Sequence, residues 1–235
     1  MKKTKSFEFK QFKITGGLSG MPVSTDGVLL GAWANLSQVD FLLDIGTGTG
    51  LLALMCAQRK PTLTIDAIDI DQNACNAAIS NFSNSPWQDR LTLHQGDILN
   101  AEFSHRFDAI ICNPPYFNSG EKAQDTSRAI ARHTDTLNHS SLLTRCWERL
   151  TAQGKASFVL PVTEGEAFIS LAIDQGWHVQ RLCRVKTTEI KAVSRLLIQI
   201  GKEPIGCETS ELTIHTADGY SDAFIQLTKA FYLKM

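Results

Sequence analysis

Short runs of hydrophobic residues alternate along the chain with longer segments in which hydrophobic residues recur at helical spacing. The short runs are typical of buried strands, and the longer segments are typical of amphipathic helices. The predicted strands cover residues 41–45, 63–69, 91–95, 107–112, 156–160, 177–186, 193–201 and 212–215. The alternation of strands with helices indicates a parallel sheet covered by helices, and the strands at 177–186 and 193–201 are expected to pair antiparallel.

Several of the predicted helices have recognisable boundaries. The helices are expected at 49–58, 72–82, 142–150, from 163 onwards and at 221–232. Asp71 is expected to cap the second helix, and Gly154 is expected to end the third. The sequence TEGE over residues 163–166 matches a capping box and predicts the start of the fourth. Residues 118–136 are polar and lack a clear period, so a long mobile loop is expected there.

The composition is that of an ordinary globular protein. The chain has 235 residues, 43% of them hydrophobic and 20% charged, with a formal net charge of -1. This size suits a single domain over residues 1–235, with an N-terminal extension of about 35 residues. The balanced charge argues against a strongly polybasic nucleic-acid binder, although a balanced sum can conceal uneven placement.

Cysteine usage and hydropathy bear on the compartment. The six cysteines are scattered, with no C-x-x-C pair and no histidines at zinc-binding spacing. Without an export signal, reduced thiols are expected rather than disulfides, and no metal site is expected. No hydrophobic stretch approaches the ~20 residues of a membrane span. The sequence therefore predicts a cytoplasmic protein that makes no membrane contact.

A glycine-rich loop follows the first long strand. It has the sequence DIGTGTG over residues 44–50, in which Gly46, Gly48 and Gly50 permit a tight turn and close approach of a ligand. The dinucleotide fingerprint G-x-G-x-x-G would need glycine at position 51, where this chain has Leu51. Asp44 would repel a pyrophosphate but suits a ligand with a positive ammonium or sulfonium group. The alternative is a plain tight turn between a strand and a helix.

Two further acids follow the next two strands. Asp69 ends the strand about 20 residues past the loop, where nucleoside-binding α/β folds place the acid that binds ribose hydroxyls. Asp97 follows the third strand and is placed to bind an adenine amino group. Each acid alone is more typical of a solvated turn. Together with Asp44, however, they are expected to converge on one crevice of a doubly wound sheet.

The fourth strand ends in the tetrad Asn113, Pro114, Pro115 and Tyr116. The two prolines stiffen the chain where it leaves the sheet. The Asn113 side-chain oxygen and the Pro114 carbonyl are then expected to accept both hydrogens of a planar amino group. Tyr116 offers a ring on which an extruded base can stack. The alternative is a strand terminated by proline and followed by a surface tyrosine.

The loop, the acids and the tetrad together resemble the class I S-adenosylmethionine-dependent amino-methyltransferases, over about residues 20–202. The resemblance implies a Rossmann-like, doubly wound α/β fold with a seven-stranded, mostly parallel sheet and an antiparallel last strand. It implies that the glycine loop holds the methionine part of the cofactor, Asp69 the ribose and Asp97 the adenine. The tetrad would then present the target nitrogen to the sulfonium methyl, without a metal ion, and Asn113 would also contact the cofactor.

A closer resemblance is to the enzymes of this class that methylate N6 of adenosine in tRNA. It rests on residues 7–12 and 21–33, on the strand that contains RLL at 195–197 and on the turn IGKE at 200–203. Pro22 departs from the pattern, since a lysine or similar residue is expected there. The resemblance implies that Asp26 lines the methionine end of the cofactor. An N-capped helix start with a turn glycine at 25–27 is the alternative. A monomer is expected.

Charge is distributed unevenly. Residues 1–13 carry +4 and residues 181–202 carry +5, so the rest carries -10 for the total of -1. The predicted loop adds Lys122, Arg128, Arg132 and His133 close to the tetrad. Such patches attract a polyanion despite a neutral total, which makes a tRNA substrate possible. The alternative is a solvated strand face and a frayed terminus. The phenylalanines between the N-terminal lysines are expected to form a small strand packed on the body.

Other functions use some of the same residues. Methylation of a protein glutamine at N5 uses the same tetrad, but a polypeptide substrate gives no reason for the basic patches. Methylation of guanine N2 in rRNA is also compatible with the tetrad. A non-catalytic nucleoside- or RNA-binding module predicts a damaged loop or tetrad, and both are intact. Leu51 argues against a dinucleotide oxidoreductase.

Overall fold

A computed structural model describes residues 4–18, 22–114 and 138–234. Most of the strands in these residues belong to one nine-stranded sheet. Its strands are β3 (Phe41–Ile45), β4 (Thr64–Asp69), β5 (Leu91–Gln95), β6 (Phe107–Cys112), β7 (Leu150–Pro161), β8 (His178–Thr188), β9 (Val193–Gly201), β10 (Glu208–Thr216) and β11 (Gly219–Tyr220). Their order across the sheet is β11-β10-β8-β9-β7-β6-β3-β4-β5.

Helices cover both faces of this sheet. They are α1 (Thr25–Trp33), α2 (Leu51–Arg59), α3 (Gln72–Ser83), α4 (His139–Arg149), α5 (Val162–Asp174) and α6 (Asp222–Thr228). Helices α1, α2, α3 and α6 contribute to one hydrophobic cluster, and α4 and α5 contribute to the other. Two clusters separated by a sheet are the consequence of helices packing on opposite faces.

The strand directions confirm the predicted fold class. Strands β3 to β7 run parallel, and β9 runs antiparallel to both of its neighbours, β7 and β8. The sheet is larger than the predicted seven strands, because β10 adds in parallel to β8 and β11 pairs antiparallel with β10. The carboxyl edge of the sheet is therefore formed by the ends of the parallel strands and by the start of β9.

Three predicted helix boundaries are wrong, the simplest being the end of α6, which lies at Thr228 and not near residue 232. Gly154 does not end α4, because the chain enters β7 directly at Leu150 and Gly154 lies inside that strand. A Cβ atom at Gly154 would lie 3.0 Å from the Phe107 carbonyl oxygen, so close strand packing explains this glycine. The capping box at 163–166 is not used either. Helix α5 begins at Val162, with Pro161 at the N-cap and no side-chain cap.

The predicted cap of α3 is confirmed. The Asp71 side chain accepts a hydrogen bond of 2.8 Å from the Ala74 backbone NH. This bond satisfies one of the free NH groups in the first turn of the helix. Because a local bond of this kind depends only on residues three apart, it is accessible to prediction from sequence.

The N-terminal residues form the expected small sheet packed on the body. Strands β1 (Phe7–Glu8) and β2 (Lys13–Ile14) pair antiparallel, and Phe9 bridges to Tyr232 near the C-terminus. Phe9 and Phe12 are buried and stack on each other with ring centroids 4.6 Å apart. These two rings are part of the core and are not available for stacking on RNA.

All six cysteines are free, and only Cys207 is exposed. Among residues 4–18, 22–114 and 138–234, no helix has the length and apolar character of a transmembrane segment.

Candidate active site

The glycine loop is organised around a buried carboxylate. Asp44 is fully buried, and its Oδ2 accepts hydrogen bonds from Thr47 Oγ1 at 2.7 Å and from the Ala53 NH at 3.0 Å. The backbone NH groups of Gly46 and Thr47 donate to the Ile68 carbonyl of the neighbouring strand. The loop is thus tied to the first turn of α2 and to β4, which fixes its path.

All three glycines of the loop have a left-handed backbone, but their surroundings differ. Their φ angles are 66° at Gly46, 58° at Gly48 and 83° at Gly50. A Cβ at Gly46 or Gly48 would meet no atom of the described chain within 4 Å, whereas a Cβ at Gly50 would lie 2.4 Å from Phe82 Cε1. Gly46 and Gly48 therefore border open space, and Gly50 is required by packing.

This difference predicts that two alanine substitutions act on different properties, one mainly on stability and the other mainly on ligand binding. Gly50→Ala is expected to lower the free energy of unfolding by more than the ~1–2 kcal/mol of a left-handed alanine, because the Phe82 ring must also move. Gly46→Ala carries only the backbone cost, but its methyl group projects into the open space and should weaken ligand binding. Urea unfolding and cofactor titration of both variants test this. Equal losses of stability in the two would contradict it.

Burial changes the electrostatics of Asp44. Loss of solvation raises the pKa of this carboxyl to about 7, against the two hydrogen bonds that lower it. Its second oxygen, Oδ1, is buried and accepts no hydrogen bond from the residues that the structure describes. A buried acceptor of this kind is stabilised by a nearby cation or donor.

Asp69 occupies the end of β4, as expected. Its Oδ2 accepts from the Gly48 NH at 2.7 Å and its Oδ1 from the Asp71 NH at 2.9 Å. Burial raises the pKa of Asp69, and these two bonds lower it. Each carboxylate oxygen keeps a further lone pair, so the group is held in place and still able to accept two hydroxyl donors.

Asp97 lies two residues beyond β5 and organises a turn. Its carboxylate accepts from the Leu99 NH at 2.9 Å and from the Asn100 side chain at 3.2 Å. The turn role considered from the sequence is therefore present. It leaves acceptor capacity on both oxygens, so binding of an adenine amino group stays a prediction for this residue.

Asn113 and Pro114 follow β6, directly beside the glycine loop. In the register of β3 and β6, Asp44 pairs with Ile111 and Ile45 with Cys112. Gly46 and Asn113 directly follow the last paired residues of these strands, so the loop and the tetrad begin at neighbouring strand ends. Pro114 is buried, and Asn113 is partly exposed. Pro115, Tyr116 and the basic residues Lys122, Arg128, Arg132 and His133 lie outside the described residues.

Asp26 lies in the first turn of α1 and forms an ion pair. Its Oδ2 accepts from Arg195 Nε at 2.8 Å, across 169 positions of sequence. The capped helix start considered for residues 25–27 is present, with Ser24 as the N-cap of α1, but Gly27 lies inside the helix and not in a turn. A Cβ at Gly27 would lie 3.0 Å from Leu51 Cδ2, which places this end of α1 against the start of α2.

Comparison with known proteins identifies the family. Residues 28–154 match the family described as "Methyltransferase small domain". The chain is 60% identical to the tRNA1(Val) (adenine(37)-N6)-methyltransferase of Vibrio campbellii (strain ATCC BAA-1116), over 99% of this chain and 97% of that protein. It is 61% identical to the enzyme of the same name from Vibrio vulnificus (strain CMCP6), over 99% and 98%. The chain belongs to the tRNA1(Val) (adenine(37)-N6)-methyltransferase family.

Solved structures with low identity support the fold. A predicted O-methyltransferase from Agrobacterium tumefaciens superposes with a TM-score of 0.70 at 14% identity, over 88% of this chain and 96% of that one. A glycopeptide N-methyltransferase complexed with S-adenosyl-L-methionine has a TM-score of 0.53 at 13% identity, over 69% and 87%. At these identities the likeness concerns the fold alone, and it agrees with the class I fold expected from the sequence.

The residues of this chain fit S-adenosylmethionine, the cofactor that the fold implies. Open space lies beside Gly46 and Gly48, where a ligand can approach the backbone. The unpartnered Asp44 Oδ1 suits the positive charge of such a ligand. Asp69 at the next strand end keeps free lone pairs on its carboxylate, which fits a ligand that carries hydroxyl groups. Among the described residues, no three His, Cys, Asp or Glu side chains form a metal-binding group.

Sequence reasoning missed one residue that holds the glycine loop. Asn81 of α3 is buried, and its Nδ2 donates to the Thr49 carbonyl at 2.8 Å and to the Thr15 carbonyl at 3.2 Å. Its Oδ1 accepts from the Thr15 NH at 2.9 Å. Asn81 therefore ties the loop to the segment after β2. An asparagine inside a helix whose partners are 32 and 66 positions away gives no local signal.

Removing this contact is expected to loosen the loop. Asn81→Ala leaves the buried Thr49 carbonyl without this donor and removes both bonds to the exposed Thr15, and an unsatisfied buried group costs about 1–3 kcal/mol. We expect a lower free energy of unfolding and a raised KM for the methyl donor with kcat little changed. Asn76→Ala, on the exposed face of the same helix, is the matched control. An unchanged KM in Asn81→Ala would show that the loop does not depend on this side chain.

The structure revises the basic segment 181–202. Arg181 lies 3.5 Å from Glu208, Lys186 lies 3.2 Å from Glu211, and Arg195 pairs with Asp26. Strand β9 runs antiparallel to its neighbours, from the carboxyl edge of the sheet to the amino edge. Lys202, directly after β9, therefore lies at the amino edge, where its ammonium donates to the Leu150 carbonyl. The segment is therefore partly neutralised and divided between the two edges, rather than one patch.

Proposed function

We propose that the protein transfers the methyl group of S-adenosylmethionine to N6 of adenosine 37 in tRNA1(Val). The observation that carries this proposal is the register of β3 and β6. Because Ile45 pairs with Cys112, Asn113 follows a strand end adjacent to the glycine loop, which supports a tetrad that begins next to the loop proposed to hold the reactive end of the cofactor. The family membership of the chain and the intact loop and tetrad support the same function.

The chemistry depends on positioning. The Asn113 side-chain oxygen and the Pro114 carbonyl accept the two hydrogens of the adenine amino group. This reduces the conjugation of the nitrogen lone pair with the ring and directs it towards the methyl carbon. Tyr116 stacks on the extruded base. When bound, S-adenosylmethionine supplies an electrophilic methyl group and a neutral leaving group. The excess proton of the methylated amine passes to solvent.

The acids hold the cofactor in this proposal. Asp69 accepts from the ribose hydroxyls, and Asp97 accepts from the adenine amino group of the cofactor. Gly46, Gly48 and Gly50 bring the backbone close to the methionine part. Asp44 supports its positive charge from below the loop. Asp26, held by Arg195, lines the methionine end at the start of α1.

Quaternary state, compartment and metal requirement follow as expectations. We expect a monomer that acts in the cytoplasm, where its substrate is present. No step needs a Lewis acid, so metal ions should be required only for folding of the RNA.

The decisive experiment identifies the methylated atom. Purified protein is incubated with an unmodified tRNA1(Val) transcript and labelled S-adenosylmethionine, and the digested nucleosides are analysed by mass spectrometry. We expect one N6-methyladenosine per tRNA, lost when adenosine 37 is replaced by guanosine. Parallel reactions receive rRNA fragments or protein in place of tRNA, and N2-methylguanosine or N5-methylglutamine formed there, without methylation of the tRNA, would support the alternative substrates. No transfer to any of them would contradict the proposed activity.

A further inference from the structure

A cavity opens at the carboxyl edge of the sheet, beyond the end of β7. It has a volume of about 270 Å³ and lies between the first turn of α1, the ends of β8 and β10, the start of β9, and α6. Pockets for drug-sized ligands measure ~300–1,000 Å³, so this one suits a single ring system. Of the predicted site residues that the structure describes, Asp26 alone belongs to it.

The cavity lies on the same edge as the tetrad. From β6, which ends at Asn113, the sheet continues through β7 to β9, β8 and β10. At ~4.8 Å per strand, the cavity is ~10–19 Å from the end of β6. Stacked nucleotides rise ~3.4 Å each, so a strand that places one base at the tetrad reaches the cavity within about six nucleotides.

Three stacked aromatic rings form one wall of the cavity. The Tyr220 ring lies between His215 at 4.6 Å and Phe224 at 5.0 Å, with interplanar angles of 25° and 28°. Phe224 is buried and forms the inner end of the stack, His215 at the other end is half-buried, and Tyr220 between them is 47% exposed. A flat ring placed on His215 would extend the stack.

The polar groups of the cavity favour a neutral ligand over an anion. Asp26 and Arg195 both line it and pair with each other, and Thr187 and Ser194 add hydroxyl groups. A phosphate would face the Asp26 carboxylate, which disfavours it. A nucleobase carries both donors and acceptors on its edge and matches a wall that offers both.

We propose that this cavity binds a second, unmodified base of the substrate RNA, an unpaired nucleotide near the target that stacks on His215. The inference rests on the proposed tRNA substrate. It makes the protein read two bases, one at the tetrad for chemistry and one at the cavity for position. Bases that stack without sequence-specific hydrogen bonds give affinity, and the polar wall adds selectivity.

The test combines protein variants with abasic RNA. His215→Ala removes the end ring of the stack, and His215→Phe keeps a flat ring without the imidazole nitrogens. His178→Ala, at the amino end of β8 on the opposite edge, is the matched control. Full-length tRNA1(Val) is assembled from synthetic halves with one unpaired anticodon-loop nucleotide at a time made abasic, adenosine 37 excepted. KM for tRNA and kcat are measured for each pair.

We expect His215→Ala to raise KM ~5- to 150-fold with kcat within about 3-fold, and His215→Phe and His178→Ala to stay near the parent. One abasic position should raise KM for the parent by a similar factor and leave the KM of His215→Ala unchanged. The proposal would be overturned if every abasic substitution raised the KM of His215→Ala by the same factor as the KM of the parent. It would also be overturned if His215→Ala had the same KM for tRNA as the parent. A parent protein that methylates no tRNA would instead contradict the proposed function, before any variant is compared.

Discussion

Replacing Asn113 by alanine is expected to lower kcat at least ~100-fold while the Kd for S-adenosylmethionine changes by less than about 3-fold. Removing one positioned hydrogen-bonding group from an active site typically costs ~10²–10³ in rate. Asn113 follows β6 beside the loop and is expected to contact both the substrate amine and the cofactor, but the glycine loop and the acids are expected to supply most of the cofactor contacts. Isothermal titration and single-turnover methylation measure the two quantities separately.

Two further variants sharpen this result. Asn113→Asp keeps an acceptor at the same position and should lose less activity than Asn113→Ala. Asn84→Ala, at the exposed C-cap of α3, changes the same residue type away from the site and should behave as the parent. A kcat of Asn113→Ala within a few-fold of the parent would remove Asn113 from the catalytic assignment.

Asp44→Asn is expected to make the protein more stable at pH 8 and poorer at binding the methyl donor. Burial raises the pKa of Asp44 to about 7, whereas an aspartate in an unfolded chain has a pKa near ~3.9. Between these values the folded state keeps a proton that the unfolded state has lost, so the free energy of unfolding falls as pH rises. The full effect, on the order of 4 kcal/mol, is reached above about pH 7.

The asparagine can keep both hydrogen bonds that Asp44 Oδ2 accepts, because its amide oxygen can take that place. It lacks the charge, so the fall in stability between about pH 4 and pH 7 should be reduced. The affinity for the positively charged cofactor should drop at least ~10-fold, the scale of a hydrogen bond to a charged group.

Urea unfolding at pH 5 and pH 8, with cofactor titration at pH 8, measures both effects. Asp89→Asn, at an exposed position, is the matched control. Parallel pH profiles for the parent and Asp44→Asn would show that another group titrates. An Asp44→Asn variant that binds the cofactor as tightly as the parent would separate this carboxylate from cofactor binding.

The main elements of the sheet could be predicted because their signals are local. The strands at 41–45, 91–95 and 107–112 match the structure residue for residue, since a buried strand is a short apolar run that ends at a turn. The boundaries at Gly154 and Val162 could not be predicted. There, packing of β7 against its neighbours extended the strand at both ends beyond the predicted 156–160.

The candidate site shows the same division. Asp44, Asp69 and Asn113 were placed at one edge from the sequence, because parallel strands bring their carboxyl ends together. The pKa of Asp44 and the contacts that fix the loop could not be predicted in this way. The raised pKa of Asp44 follows from complete burial beneath the loop, and the position of the loop depends on Asn81.

The sequence by itself determined the order of strands and helices, the glycine loop, the cap at Asp71 and the succession of acids and tetrad. Each of these is written in residues a few positions apart, so periodicity and turn chemistry reveal it. The tertiary structure alone decided that Asp26 pairs with Arg195 and that residues 181–202 are divided between two edges of the sheet. It also decided that His215 and Tyr220 border a cavity. These features depend on strand direction and on contacts between distant segments, and no local pattern encodes either.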